Sequence, residues 1–169
     1  KKALIVAPTR ELAVQITEEA QLLGHYSKLR TGCFFGGVDF TTQENLLRKG
    51  VDIIVGTPGR LLDFSQQGKL DLKKISILVI DEADRLFDMG FLPDIRRLLK
   101  KMPPYKERRT MLFSATLDAR VKELAWEHMN DPAEIKIAPE QVTVESVSQE
   151  LYHVEQRAKM KLLLGILKK

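Results

Sequence analysis

Three closely spaced carboxylates, Asp81, Glu82 and Asp84, follow directly on four large apolar residues, Ile77-Leu78-Val79-Ile80. An apolar run of this kind, rich in β-branched residues, reads as a strand buried on both faces. Unpaired charge is expensive inside a protein, so the carboxylates belong at the strand tip rather than within the sheet. In open α/β sheets the carboxyl ends of the strands are where ligands bind. Asp81 and Glu82 there suit a hard cation such as Mg²⁺, which takes one or two carboxylates and completes its shell with water and phosphate oxygens. The competing reading is structural: Asp81 or Asp84 caps the helix that follows.

Four further polar clusters stand directly after apolar runs: Pro8-Thr9-Arg10-Glu11-Leu12, Gly36-Gly37, Thr57-Pro58-Gly59-Arg60 and Ser114-Ala115-Thr116. Each has a plain alternative as a helix cap, a turn or a strand end. Helix N-termini bind phosphate through free N–H groups and the positive end of the dipole. Thr9, Gly37, Thr57 and Gly59 fall at or near such positions. Arg10 and Arg60 add charge that either meets phosphate or braces Glu11 or a neighbouring loop.

The elements that must position these clusters alternate along the chain. Strands are expected over 3–7, 29–35, 51–55, 75–80, 110–113 and 135–137. Helices are expected after Thr9 (ending near Gly24), from a capping box at Thr41-Thr42-Gln43-Glu44 to Gly50, after Thr57 with Pro58 at the first position, over 93–101, and over 118–129. Such alternation argues for an α/β fold with a mostly parallel central sheet and helices on both faces. Residues 138–148 shift to Pro, Gln, Glu, Thr and Ser and read as a linker. A strand over 150–154 and a helix over 157–167 are expected beyond it. Trp126 lies on a helix and is expected to pack rather than to stack on bases, and His25, His128 and His153 are scattered without ligand spacing.

Apolar residues at 44% and charged residues at 30% exclude a disordered or membrane-embedded chain. A net charge of +4 permits a polyanionic partner. Cys33 is the only cysteine, so no internal disulfide can form, which fits a reducing compartment. No apolar run reaches the roughly 20 residues of a membrane span, and neither end shows a signal peptide.

In this order the five clusters resemble the DEAD-box RNA helicase family, over residues 3–137. The resemblance implies a RecA-like three-layer fold and identifies Asp81-Glu82-Ala83-Asp84 as the box that names the family. It implies that Asp81 holds Mg²⁺ through water. It further implies that Glu82 positions or deprotonates the water attacking the γ-phosphate of ATP. Pro8, Thr9, Arg10 and Glu11, then Gly36 and Gly37, then Thr57, Pro58, Gly59 and Arg60 resemble RNA-contacting motifs. Ser114-Ala115-Thr116 resembles the motif linking hydrolysis to strand separation, with Ser114 and Thr116 hydrogen-bonding near Asp84. RNA is the implied partner, held through its backbone without sequence readout, and the cytoplasm the implied location (the nucleus too in a eukaryote).

The sequence departs from the family in two respects: the phosphate-binding pattern G-x-x-x-x-G-K-[ST] occurs nowhere in the 169 residues. The family's adenine-reading glutamine motif is missing as well. Both ends read as cuts through a longer protein. The expected organisation is a partial first RecA-like domain (1–137), a linker (138–148) and the opening of a second domain (149–169). On that reading the 169 residues alone do not hydrolyse ATP, and the alternative is an RNA-binding module without ATPase activity. A DNA-directed helicase of the same superfamily is a third reading, disfavoured by the pairing of Asp-Glu-Ala-Asp with Ser-Ala-Thr. In the related fold the phosphate-loop strand lies beside the strand ending in Ser-Ala-Thr. Without that strand, residues 110–113 become an apolar edge, either covered by 135–137 or open to pairing with other chains.

Overall fold

The computed structural model describes residues 2–137 and 150–168. The expected linker lies outside the described residues. The chain divides into two compact units, Lys1–Ala133 and Glu134–Lys169.

The first unit is built on five strands: β1 (Lys2–Val6), β2 (Thr31–Phe34), β3 (Ile53–Gly56), β4 (Ile75–Ile80) and β5 (Arg109–Leu112). All pairings are parallel, and the spatial order is β2-β3-β1-β4-β5. Parallel neighbours cannot be joined by tight turns, so each connection carries a helical crossover. These are α1 (Arg10–Leu23), α2 (Phe40–Lys49), α3 (Pro58–Gln66), and the pair α4 (Ala83–Asp88) and α5 (Leu92–Lys100); α6 (Ala119–His128) follows β5.

Side chains alternate across the sheet. Leu4, Val6, Phe34, Ile54, Leu78 and Ile80 face a large core completed by α3, α5 and α6 through residues such as Phe64, Leu98 and Leu124. Ile5, Ala7, Val55 and Cys33 face the other way, toward Leu12, Ala13 and Ile16 of α1. The register pairs Ile5 with Val79 and Val79 with Met111, so Ile77 and Met111 share the α1 face. That side of β4 and β5 is incompletely covered: Ile77 is 39% exposed, Met111 37% and Phe113 54%. The strand expected to be buried on both faces is therefore fully buried only at Ile75, Leu78 and Ile80.

β2 and β3 approach so closely that a Cβ at Gly56 would lie 2.3 Å from the Phe34 carbonyl oxygen. Only glycine fits there.

Several expectations are corrected. Residues 135–137 form no strand; Ile135 and Ile137 are 85% and 88% exposed. Among the described residues β5 pairs with β4 alone. The helix after Gly37 is not opened by a Thr41 capping box. Asp39 is the cap, its Oδ2 accepting from the Thr42 N–H (2.6 Å) and hydroxyl (2.8 Å). Gly24 ends α1 with φ −84°, not in the left-handed region expected of a glycine just past a helix. Trp126 is 84% exposed. In the second unit, residues 150–155 are irregular rather than a strand; a 3₁₀ turn (Gln156–Ala158) leads into α7 (Lys159–Leu167).

Candidate functional site

Because every strand runs the same way, all five polar clusters emerge at one end of the sheet. The strand order then sorts them. Gly36-Gly37 follows β2, Thr57-Pro58-Gly59-Arg60 follows β3 and Pro8-Thr9-Arg10-Glu11 follows β1, on three adjacent strands. Asp81-Glu82-Ala83-Asp84 follows β4 and Ser114-Ala115-Thr116 follows β5, the two strands beside them. The first three clusters in sequence thus lie together in space, beside the last two.

In the first group Thr9 caps α1, its Oγ1 accepting from the Leu12 N–H at 3.2 Å. Pro8 is buried, while Arg10 and Glu11 are exposed. The Arg10 guanidinium lies 4.8 Å from the centroid of the Phe35 ring, so it is braced by the residue just past the end of β2. Gly37 has φ +80°, a backbone conformation that only glycine adopts cheaply. The loop is pinned at both ends. Before the glycines, the buried side chain of Gln43 accepts from the Phe35 N–H (3.1 Å) and donates to the Phe35 carbonyl (3.0 Å). After them, Arg60 Nη2 donates to the Val38 carbonyl (3.3 Å). Arg60 sits over Phe40 and Phe64, 5.3 and 5.7 Å from the ring centroids. Its Nη1 is buried with no hydrogen-bond partner among the described residues, so rings rather than acceptors hold that side of the fork. Arg60 thus braces the neighbouring loop. Thr57 stands at the start of α3 in extended conformation, and its side chain makes no cap bond. Pro58 occupies the first turn, and Gly59 is exposed with open space around its Cα.

The second group is built differently. Asp81 Oδ1 accepts from the Glu82 N–H at 2.9 Å. Glu82 lies in the left-handed region, φ 46° and ψ 54°, and gives α4 no side-chain cap. Its carboxylate pairs with Arg85 at 3.1 Å. The orphan N–H groups of α4 are met from the end of β5 instead. The Ala83 N–H donates to the Phe113 carbonyl (3.0 Å) and the Asp84 N–H to Ser114 Oγ (3.2 Å). In return Asp84 Oδ2 accepts from both the N–H and the hydroxyl of Thr116, each at 2.9 Å, while Oδ1 accepts from the Arg85 N–H. Burial pushes the Asp84 carboxyl up, but these hydrogen bonds outweigh it and hold the pKa below its ordinary value. Asp84, Ser114 and Thr116 are therefore one clamp joining the tips of β4 and β5.

No group of three metal-ligating side chains occurs among the described residues. A single carboxylate at a strand tip fits a Mg²⁺ held mainly by phosphate and water, and does not fit an ion enclosed by protein ligands.

The model of the DEAD/DEAH box helicase family matches residues 1–124. The chain belongs to this family. Curated DEAD-box relatives include the ATP-dependent RNA helicases RhlB of Shewanella oneidensis and Shewanella amazonensis, each 47% identical over 166 residues, 98% of this chain. The chain spans 38% of the length of these relatives. A crystal structure of a hypothetical ATP-dependent RNA helicase from Sulfolobus tokodaii superposes with a TM-score of 0.72 at 37% identity, covering 77% of this chain and 38% of that one. The DEAD-box chain thus has the RecA-like α/β fold, with a five-stranded parallel sheet.

Sequence reasoning missed two features of this DEAD-box site. One is Gln43, a polar residue on the inward stripe of α2 between Phe40 and Leu46-Leu47. A lone amide on an apolar helix face is a readable signal, because burial demands a partner. The other is the left-handed Glu82, which no feature of its neighbours in sequence announces.

Proposed function

We propose that this chain is the partial first RecA-like domain, the linker and the opening of the second domain of an ATP-dependent RNA helicase. RNA lies across the tips of β2, β3 and β1; nucleotide chemistry takes place at the tips of β4 and β5. The observation that carries this reading is the spatial sorting of the clusters, with the Asp84 clamp joining the tips of the last two strands. RNA is held by phosphate and ribose contacts from Thr9, Arg10, Gly37, Thr57 and Gly59, with Pro8, Glu11, Gly36, Pro58 and Arg60 shaping the same surface, and its sequence is not read. Asp81 offers its carboxylate toward a hydrated Mg²⁺, which when bound neutralises charge on the phosphates. Glu82 orients the attacking water and receives its proton. Location in the cytoplasm accompanies this reading; no described helix is long and apolar enough to cross a membrane.

Titration of the full-length protein against labelled single-stranded RNA tests it. Affinity is expected to fall steeply and log-linearly with salt, to weaken in Arg10→Ala, and to exceed that for DNA of equal sequence. Salt-independent binding, or DNA held as tightly as RNA, would overturn it.

The open side of β5 also supports self-association of the 169-residue chain, because an unpaired apolar edge is a template for another strand. Size-exclusion chromatography is expected to show larger species as concentration rises; a monomer throughout would exclude edge pairing.

A further inference from the structure

We propose that Gln43 is a positioning residue for RNA binding, acting through the backbone of Phe35. The proposal rests on the RNA-binding reading above. Gln43 is 6% exposed and cannot itself touch a ligand at the surface. Its amide forms a closed pair with Phe35: Oε1 accepts the Phe35 N–H at 3.1 Å, and Nε2 donates to the Phe35 carbonyl at 3.0 Å.

Phe35 lies just beyond the end of β2, where the ladder to β3 gives out. Without Gln43, both of these backbone groups would lose their partner at a partly buried position. A buried amide held so fixes the peptide plane on either side of it, because leaving either atom unpaired is costly. Two ligand-facing features depend on that plane. Gly36-Gly37 begins at the next residue. The Phe35 ring is the platform on which the Arg10 guanidinium rests, 4.8 Å from its centroid. One side chain on α2 therefore sets the geometry of two clusters from different strands, those after β2 and β1. Arg60 completes the frame by holding Val38 on the far side of the glycines. The Asp39 cap leaves Gln43 free for this task, since the first turn of α2 does not need its amide.

The test uses the full-length protein and a labelled single-stranded RNA. In Gln43→Met, of equal length but without polar atoms, RNA affinity is expected to fall about tenfold, the effect of losing two hydrogen bonds. Hydrogen exchange at the Phe35 and Gly36 amides should accelerate. Gln43→Glu separates positioning from folding. A protonated carboxyl reproduces the acceptor and donor of the amide, whereas a carboxylate sets its charge against the Phe35 carbonyl. Burial raises the carboxyl pKa, so the neutral form persists above the usual range. The ratio of Gln43→Glu to wild-type affinity should therefore be near one at pH 5.5 and about tenfold lower at pH 8. The charged groups nearest the pair are Arg10, Arg60 and Asp39. A folding role alone would shift the melting of the variants while leaving that ratio flat. RNA binding by the wild type with a flat ratio, or with wild-type affinity in both variants, would overturn the proposal; no RNA binding by the wild type would instead overturn the reading it rests on.

Discussion

Replacing Glu82 with glutamine is expected to lower ATP turnover in the full-length protein by about 100-fold or more, the contribution of a positioned general base. ATP and RNA affinities should stay near wild type, because the amide keeps the size of the side chain and Asp81 is untouched. The backbone makes a second variant more informative. Glu82 holds φ 46°, a conformation that costs a residue with a Cβ about 1–2 kcal/mol. Glycine escapes that cost, although its greater freedom when unfolded takes back about 0.4–1 kcal/mol. Glu82→Gly is therefore expected to be the more stable protein, by about 0.5 kcal/mol, and as inactive as the glutamine variant. Steady-state hydrolysis and denaturant unfolding check the two halves separately. A glycine variant less stable than wild type would show that the left-handed turn is not strained. A strained residue retained at a strand tip is what a site held for chemistry rather than stability looks like.

Much of this was legible before the fold was known. The run Ile77 to Ile80 marked a strand, and the carboxylates after it marked its tip. What did not follow from sequence was the arrangement across the sheet. Strand order is set by long-range pairing, so no local pattern says that β3 lies between β2 and β1, and the nearness of Asp84 and Thr116 was implied by the family resemblance alone. The misread helix start has a local cause. Thr41-x-x-Glu44 matches a capping box, yet Asp39 is a stronger acceptor and takes the cap first. That leaves Gln43 on the inward stripe and Glu44 paired with Arg48 and Lys69. Ile135-Lys136-Ile137 alternates like a strand, but three residues with no neighbour to pair with carry no ladder. Trp126 is expected to pack, yet it is exposed. The inward stripe of α6 is already occupied by Val121 and Leu124, and residue 126 falls off it.

Breaking the Asp84 clamp is expected to produce the other large effect. Asp84→Ala removes the acceptor of the Thr116 N–H, the Thr116 hydroxyl and the Arg85 N–H. The loss resembles that of a helix cap, about 1–2 kcal/mol of stability. The same interaction carries a pH signature. The folded pKa of Asp84 lies below its ordinary 3.8. A depressed carboxyl stabilises the fold above that ordinary value, and the contribution fades as pH falls through the folded pKa. Acid unfolding of wild type should therefore be steeper below about pH 4 than that of Asp84→Ala. The clamp and the Ala83 N–H bond to the Phe113 carbonyl bridge the box after β4 and the Ser-Ala-Thr end of β5.

On the proposed function, this bridge couples nucleotide chemistry to strand separation in the full-length protein. Thr116→Val tests it most directly, because it deletes one hydroxyl and keeps the Thr116 N–H bond to Asp84. The measurement is RNA duplex unwinding per ATP hydrolysed in the full-length protein. The bridge predicts that hydrolysis stays within about threefold of wild type while unwinding falls about tenfold, the loss of one hydrogen bond to a charged acceptor. Unwinding that falls only in proportion to hydrolysis would contradict it.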